Sequence, residues 1–344
     1  MADAATLDTT LDTALPEALR ARLDTLSGFE GALLLREGAE GVALALRRPT
    51  GLVLRLAAFW ISPGAADAEA TARALAARLE AAAHEAGLLA LRAAPEDAPW
   101  LDPAGLRQLG LAPLAVPYAE RWLGNDAPRR ALPLYAQTTP FTCGPASLLM
   151  GFQALAGRAP TRSEEIALWR EATTIVSLAG PGGCDPHGLA LAARARGFGA
   201  RILATTDRAL LTERADTAQK RELIEFAQSE LRAQSAAAGI PVTLGDFAIA
   251  PLAAHLGAGG LVLLLIDQHP THGRHSPHWI LLHQARDGWF LVNDPWPDPP
   301  RGETAADAAN LPIRAEALER MAWFGEPPYR AAVLLTPPGD GAGD

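Results

Sequence analysis

The chain has 344 residues and a formal net charge of −9, and 49% of its residues are hydrophobic. This length predicts two domains of ordinary size, each with enough apolar residues for a core of its own. An acidic balance without a basic tract argues against nucleic acid as a partner. The longest apolar run, Gly259 to Ile266, is far shorter than the ~20 residues of a membrane-spanning helix, so we expect no membrane association.

The N-terminal ten residues and the cysteine count bear on the compartment. Residues 1–10 have neither the basic region nor the apolar segment of a secretory signal peptide. The two cysteines, Cys143 and Cys184, are too few for a disulfide framework. Both observations predict a reducing, cytoplasmic location in which the thiols stay free.

Residues 1–125 are predicted to form an α/β domain, followed by a linker at 126–130. The predicted elements are strands at 31–36, 41–47 and 52–60, a helix at 67–86, a strand at 88–92, a helix at 103–109 and a strand at 114–122. This order resembles the GNAT acetyltransferase fold over residues 28–123. In that family a basic, glycine-rich loop before the long helix holds the pyrophosphate of acetyl-CoA. The corresponding stretch, Pro63 to Thr71, is acidic and has only Gly64, so the resemblance implies a degenerate domain.

The segment around Cys143 has the residues of a cysteine nucleophile site. Cys143 precedes a Gly-Pro pair, and residues 146–155 are predicted to be helical. A helix N-terminus favours a thiolate, because its free N–H groups and its dipole attract negative charge. Gln137, six residues upstream, has an amide that can form an oxyanion hole with the Cys143 backbone N–H. Alone, Cys143 would be interpreted as a small buried hydrophobic residue, so the hypothesis depends on partners elsewhere.

A histidine and an acid that could act with Cys143 lie far downstream. Two strands joined by a five-residue turn are predicted at 278–283 and 289–293. Pairing their inner ends places His278 directly opposite Asp294 on one face, with Cβ atoms about 4.5–5.5 Å apart. Asp294 can then hold the imidazole and fix its tautomer. Asn293 is the alternative, because a register shifted by one residue exchanges the two.

Three further residues are predicted to line a substrate cleft. Cys184 and His187 lie in a glycine-rich loop that opens a helix at 189–196, and Trp279 follows His278 directly. Four histidines at a spacing of three, in the run from His269 to His278, fit no regular metal-binding motif. We therefore expect neither a metal site nor a cofactor.

The remaining predicted elements are scaffold. A long helix is predicted at 218–238, and buried strands are predicted at 261–266 and 331–335. The apolar stripe of the helix is assigned to Leu223, Phe226, Ala227 and Leu231.

Residues 131–336 resemble the papain-like peptidases that cut double-glycine leaders in bacteriocin exporters, and resemble the stand-alone bacterial relatives of that group more closely. The matching residues are Gln137, Cys143-Gly-Pro-Ala, the segment from Gly183 to Arg194, Pro277-His278-Trp279 and Asp294-Pro295. The resemblance implies a papain-like fold, a Cys143–His278–Asp294 triad and hydrolysis of an amide bond. The sequence shows nothing resembling the transporter of the exporters, so the leader peptide is not carried over as the substrate.

The sequence therefore predicts an α+β protein, with an α/β GNAT-like domain before a papain-like cysteine peptidase domain at 131–344. The expected partner is a peptide or protein substrate. Three alternatives stay open. The same triad can transfer an acyl group to an amine, as a transpeptidase or a transglutaminase-like enzyme does. The second domain can be a pseudo-enzyme that only binds peptides, or the first can be an active acetyltransferase.

Overall fold

The computed structural model describes residues 15–124, 127, 131–173, 182–210, 212 and 215–339. These residues form two compact units. Unit 1 contains the described residues before Arg130 together with the segment Pro297–Asp307, and unit 2 contains Arg130–Trp296 and the residues from Ala308 onward. Helices and strands occur in both units, which confirms the predicted α+β class.

Unit 1 is built on a five-stranded sheet. Its strands are β1 (Leu33–Glu37), β2 (Gly41–Leu46), β3 (Val53–Ile61), β4 (Ala90–Ala93) and β5 (Ala119–Trp122), hydrogen-bonded in that order. Its helices are α1 (Glu17–Ser27), α2 (Ala68–Glu85), α3 (Pro103–Gln108) and the 3-10 helices Pro95–Trp100 and Pro299–Arg301. Neighbouring strands are antiparallel except β3 and β4, which are parallel. A parallel pair needs a long crossover, and α2 supplies it.

The strands and helices predicted for residues 31–122 occur in the predicted order, but α1 and the 3-10 helices were not predicted and the last strand differs in length. Helix α1 was not predicted, although Leu19, Leu23 and Leu26 repeat at helical spacing and are buried. The last strand is shorter than predicted and covers only Ala119–Trp122. Pro117 lies just before it, and proline lacks the N–H that a strand ladder requires.

The segment Pro297–Asp307, which lies within the predicted second domain, is held in unit 1 by buried ion pairs. The Arg55 guanidinium forms an ion pair with Asp307, with Nε 2.8 Å from Oδ2. Arg48 makes a two-point contact with the Glu303 carboxylate, at 3.1 and 2.5 Å. Arg48 and Arg55 are both almost fully buried, so each needs a carboxylate partner there.

Unit 2 is built on a seven-stranded sheet. Its strands are β6 (Phe198–Ala204), β7 (Val242–Leu244), β8 (Leu261–Asp267), β9 (Pro277–Arg286), β10 (Trp289–Asn293), β11 (Leu311–Arg314) and β12 (Ala331–Pro338). They are ordered β11-β10-β9-β8-β12-β6-β7, and only β6 and β7 are parallel. The helices are α4 (Cys143–Ala156), α5 (Arg162–Ala172), α6 (Pro186–Ala195), α7 (Ala218–Ala237), α8 (Leu252–Gly257), α9 (His269–His272), α10 (Ala305–Ala308) and α11 (Ala315–Met321). The last residue of α10 belongs to unit 2 and its first three to unit 1.

Helix α4 is the centre of unit 2. Every residue from Cys143 to Phe152 is buried, as expected for a helix that is apolar on all sides. It packs against β9 and β12, and the Ser147 hydroxyl donates to the Trp279 carbonyl of β9 at 3.1 Å. The helix ends at Gly157, whose φ of +68° suits glycine at a helix C-terminus. This packing fixes the start of α4 beside β9.

The apolar stripe predicted for the long helix, α7, is wrong at Phe226. The buried residues of α7 are Ile224, Gln228 and Ser235, whereas Phe226 is 62% exposed. Gln228 is buried because its amide holds the Leu210 main chain, accepting from N and donating to O at 2.7 Å each. A helical wheel of apolar residues cannot show such a polar anchor.

Among the described residues, no helix combines the length and the apolar character needed to cross a bilayer.

Candidate active site

Cys143 is the first residue of α4 and is buried, 8% exposed. The N–H groups of a first helical turn have no acceptor within the helix. The backbone N–H groups of Gly144 and Trp279 face the Cys143 sulfur and help to lower the pKa of the thiol. The structure therefore places the sulfur where negative charge is stabilised by nearby donors.

His278 and Asp294 form a buried pair next to this thiol. The imidazole Nε2 of His278 lies 2.7 Å from Asp294 Oδ1, and the two residues are 3% and 5% exposed. The Trp296 N–H also donates to Asp294 Oδ1, at 2.9 Å, and holds the carboxylate in place. With Nε2 engaged by Asp294, Nδ1 is the ring nitrogen available to the Cys143 thiol, with which His278 shares a hydrogen bond.

Burial and ion pairing act in opposite directions on this pair. Burial alone would raise the pKa of the Cys143 thiol, but the hydrogen bond and positive charge of His278 outweigh it and lower that pKa. Burial alone would lower the pKa of His278, but Asp294 and Cys143 raise it to about 10. Both shifts favour a thiolate and an imidazolium, which is the ion pair of an activated cysteine nucleophile.

The predicted pairing of the histidine strand is wrong, although the predicted His278–Asp294 proximity is present. A two-residue turn joins β9 and β10, because Asp287 and Gly288 both adopt positive φ. A β-bulge between Leu291 and Val292 then shifts the register by one residue. Asn293 consequently lies opposite Leu281, and Asp294 continues next to Ile280.

The bulge decides which side chain reaches the imidazole. Ile280 is two residues from His278 and shares its face, so Asp294 lies diagonal to His278 on that face. Without the bulge, Asn293 would take that face instead. Asn293 is fully buried on the other side, where it donates to the Pro133 carbonyl at 3.2 Å and accepts from the Asn310 N–H at 2.7 Å.

Gln137 lines the same cleft as Cys143. Its main-chain N–H donates to the Pro295 carbonyl at 2.8 Å, next to Asp294. One hydrogen of its side-chain amide is held by the Thr139 carbonyl at 2.7 Å, which leaves the second for another acceptor. Its Oε1 is buried and has no hydrogen-bond partner among the described residues.

A buried carboxylate, which the sequence did not predict, lies under the loop between Gln137 and Cys143. Glu165 of α5 is fully buried. It accepts from the Thr138 N–H at 2.8 Å, the Thr138 hydroxyl at 2.9 Å, the Tyr135 hydroxyl at 2.8 Å and the Thr142 hydroxyl. Thr138 and Thr142 are each next to a proposed functional residue. Four donors on one carboxylate make the loop rigid, and the only sequence signal was a glutamate on an otherwise apolar face.

A cleft of about 880 Å³, open solvent included, opens onto Cys143 and His278 within unit 2. Two of the three predicted substrate-binding residues, Cys184 and Trp279, line it. Both are buried, and the Trp279 indole N–H donates to the Cys184 carbonyl at 3.1 Å. Burial raises the pKa of the Cys184 thiol well above its usual range, whereas that of the Cys143 thiol is lowered.

His187, the third predicted substrate-binding residue, is not among the described residues that line the cleft. It lies in the first turn of α6, where Asp185 caps its N–H at 2.8 Å. Burial and the nearby Arg232 lower the pKa of His187 to about 4. This imidazole is therefore neutral near pH 7.

The histidine run does not converge on one point. His269 and His275 stack with ring centroids 4.1 Å apart, and His275 Nδ1 lies 2.5 Å from Asp267 Oδ2. His278 instead pairs with Asp294. In the part of the chain that the structure describes, no group of three or more His, Cys, Asp or Glu side chains could hold a metal ion.

Residues 132–336 match the sequence model of DUF3335, described as the Peptidase_C39 like family. The chain belongs to this family. The match contains Cys143, His278, Asp294 and Gln137 and covers the described part of unit 2 almost completely. No curated protein matches the sequence.

Three solved structures are similar over about the same share of this C39-like chain. The first is the peptidase domain of Streptococcus ComA, a bi-functional ABC transporter involved in a quorum sensing pathway. It is 13% identical to this chain, with a TM-score of 0.30, and the alignment covers 60% of this chain and 98% of that chain. A structure described as a C39-like peptidase from Bacillus anthracis is 12% identical, with a TM-score of 0.32 and 60% and 94% covered. The peptidase domain of Streptococcus mutans ComA is 12% identical, with a TM-score of 0.25 and 59% and 98% covered. At these TM-scores the family assignment depends on the sequence match alone.

Proposed function

We propose that this protein is a cysteine peptidase that hydrolyses a peptide or amide bond. The observation that carries the proposal is the buried Cys143–His278–Asp294 array at the floor of an open cleft. Membership of a C39-like peptidase family supports the same reaction class. Cys143 acts as the nucleophile, His278 as the proton carrier and Asp294 as the group that orients His278.

The first half of the reaction forms an acyl-enzyme. The Cys143 thiolate attacks the scissile carbonyl carbon, and the carbonyl oxygen becomes an oxyanion. The backbone N–H of Cys143 and the second amide hydrogen of Gln137 stabilise that oxyanion. The His278 imidazolium then gives its proton to the leaving amine, and the C–N bond breaks. Asp294 keeps the imidazole in the required tautomer throughout.

In the second half, water attacks the thioester while His278 accepts a proton from it. The tetrahedral intermediate collapses, the carboxylic acid leaves and the free thiol returns. An amine that replaces water would give an amide product instead. Product masses after incubation with a peptide and an added amine distinguish hydrolysis from acyl transfer.

The test of the proposed function is cleavage of a mixed peptide library, analysed by mass spectrometry. Cys143→Ser should abolish cleavage, while Cys184→Ser should retain it, because only Cys143 contacts His278. Tm measurements on both variants control for folding. Cleavage that survives in Cys143→Ser would remove the proposed nucleophile, and an unreactive Cys143 in the native protein would favour a peptide-binding pseudo-enzyme.

We expect Gln137→Ala to lower kcat by about 10²–10³-fold, the usual effect of losing one oxyanion donor. The amide can neither accept a proton as a base nor attack as a nucleophile, so alkylation of Cys143 by iodoacetamide should keep nearly its normal rate. Measuring kcat and the alkylation rate in one preparation separates the two effects. Normal turnover would remove Gln137 from the site, and an inert thiol would assign it to loop structure.

For unit 1 we propose a degenerate GNAT-like domain that does not transfer acetyl groups. The donors at the start of α2, where a pyrophosphate would be held, already bind carboxylates. Asp67 Oδ1 accepts from the Ala70 N–H at 2.9 Å, and Glu40 accepts from the Ala66 N–H and the Thr71 hydroxyl at 3.2 Å each. An anion at this helix terminus would meet two like charges.

Calorimetry with acetyl-CoA is therefore expected to show no binding at micromolar concentrations. The matched variant is Asp67→Asn with Glu40→Gln, which removes both charges and retains hydrogen-bonding oxygens. Micromolar binding to the unaltered protein would contradict the proposal and make this a bifunctional enzyme.

A further inference from the structure

One wall of the cleft is a polar loop between β8 and β9. Four residues of this loop and the start of β9 line the cleft: Gln268, Arg274, Ser276 and Pro277. The loop closes on itself, because the Gln268 N–H donates to the Ser276 carbonyl at 3.0 Å. Asp267 fixes it further, accepting from the Ser276 N–H at 3.1 Å and pairing with His275. This polar wall, defined as Gln268, Arg274 and Ser276, is therefore held in shape before any substrate arrives.

Gln268 holds this loop through its main chain and faces the cleft. The residue is only 6% exposed, and its carbonyl accepts from the Thr271 and His272 N–H groups at 3.0 and 2.8 Å. Because Gln268 lines the cleft, its side-chain amide is in a position to hydrogen-bond a bound ligand.

Arg274 gives the polar wall a positive charge. Its side chain is exposed at the cleft, and no ion pair engages it in the described part of the chain. Arg196, by contrast, is paired with two carboxylates, those of Glu164 and Glu171. A guanidinium presents a rigid set of N–H donors that matches a carboxylate in two-point contact.

The other charges of the cleft do not cancel this preference. His278 carries a positive charge when paired with Asp294. Asp185 is the carboxylate among the described lining residues, but it is buried and accepts the His187 and Gly188 N–H groups. Much of the rest of the lining is apolar or aromatic, including Leu210 and Tyr329. The cleft thus offers one cationic, donor-rich wall beside apolar and aromatic residues.

We propose that Gln268, Arg274 and Ser276 form a subsite for a carboxylate of the substrate. This inference depends on the proposed peptidase function and names its substrate class: a peptide with an acidic side chain, or its own C-terminal carboxylate, near the bond that is cut. Arg274 supplies the charge, and the Gln268 amide and Ser276 hydroxyl supply further donors.

The first test uses two small alkylating reagents and needs no proteolysis. Iodoacetate carries a carboxylate and iodoacetamide does not, so the ratio of their rates at Cys143 reports how the cleft attracts a carboxylate. Arg274→Met should lower this ratio about fourfold, the size expected for losing one partly solvated charge. Arg274→Lys should largely keep it. Arg201→Met, which removes an exposed arginine of β6 outside the cleft lining, is the matched control and should leave it unchanged.

The second test uses pairs of peptides that differ by one group. Asp is exchanged for Asn at each position around the cleaved bond, and the C-terminus is either free or amidated. If kcat/KM differs more within the Asp/Asn pairs, the carboxylate is that of a side chain. If it differs more between the free and the amidated peptide, the carboxylate is that of the C-terminus. In Arg274→Met that difference should disappear, while Arg201→Met should keep it.

An iodoacetate ratio that is equal in the native protein, Arg274→Met and Arg201→Met would overturn the subsite. So would a native enzyme that prefers the neutral member of every peptide pair. If no peptide is cut but the ratio falls only in the Arg274→Met variant, the carboxylate subsite stands and the proposed peptidase function fails.

Discussion

His278→Ala should reduce peptide turnover by at least about 10²–10⁴-fold, which is the contribution of a positioned proton carrier. The imidazole lowers the pKa of the thiol and protonates the leaving amine, so its removal impairs both steps. Asp294→Ala should be less severe, because the carboxylate orients and charges the imidazole but transfers no proton itself. The measurement is kcat/KM on one peptide, with Tm recorded for each variant.

The matched control is Asn293→Ala, the neighbour on the opposite face of β10. Asn293 is fully buried, and its truncation removes the acceptor of the Asn310 N–H and the donor to the Pro133 carbonyl. Losing a buried hydrogen-bonding partner costs roughly 1–3 kcal/mol, so this variant should lose stability. Its Cys143 should stay reactive at temperatures where it is folded. A variant with normal Tm and lost turnover would show that Asn293, and not Asp294, faces the imidazole.

The hairpin shows how far sequence reasoning extends. Residue types and their separation were sufficient to bring His278 and Asp294 to one face, although the pairing itself was wrong. Face membership depends only on whether a register is shifted by an even or an odd number of residues. The Asp287–Gly288 turn shifted it by an odd number, and the bulge at Leu291 and Val292 shifted it back. The turn has a sequence signature, but the bulge has none that a single sequence displays.

Interactions between distant residues were beyond the sequence. Glu165 under the nucleophile loop and Gln228 under Leu210 are buried because of partners 18 or more residues away. The Asp307 carboxylate pairs with Arg55 across most of the chain. Patterns of apolar residues predict which face of an element is buried, and so they assign polar residues to the surface. Apolar patterns therefore do not identify polar residues that are buried because they hydrogen-bond another segment of the chain.

Cys143 should react with iodoacetamide at least about tenfold faster than Cys184 near neutral pH. Both thiols are buried, so burial does not separate them. His278 lowers the pKa of Cys143, whereas burial, Cys143 and Asp185 all raise that of Cys184. Since only the thiolate reacts, the charge around each sulfur decides its rate. Mass mapping of the labelled peptides gives both rates in one sample, and equal rates would contradict the assignment of the nucleophile.

The pH dependence of this labelling tests the ion pair itself. A thiolate with a lowered pKa is lost only as pH falls through that lowered value, so the Cys143 rate should stay flat below the usual thiol pKa of about 8.5. His278 has a raised pKa of about 10, so its proton is kept through neutral pH and is lost only in alkaline solution. In His278→Ala burial is no longer opposed by the imidazolium, and the inflection should move above the usual thiol range. An inflection that stays in place would show that the helix terminus and the Gly144 and Trp279 N–H groups hold the thiolate without the imidazole.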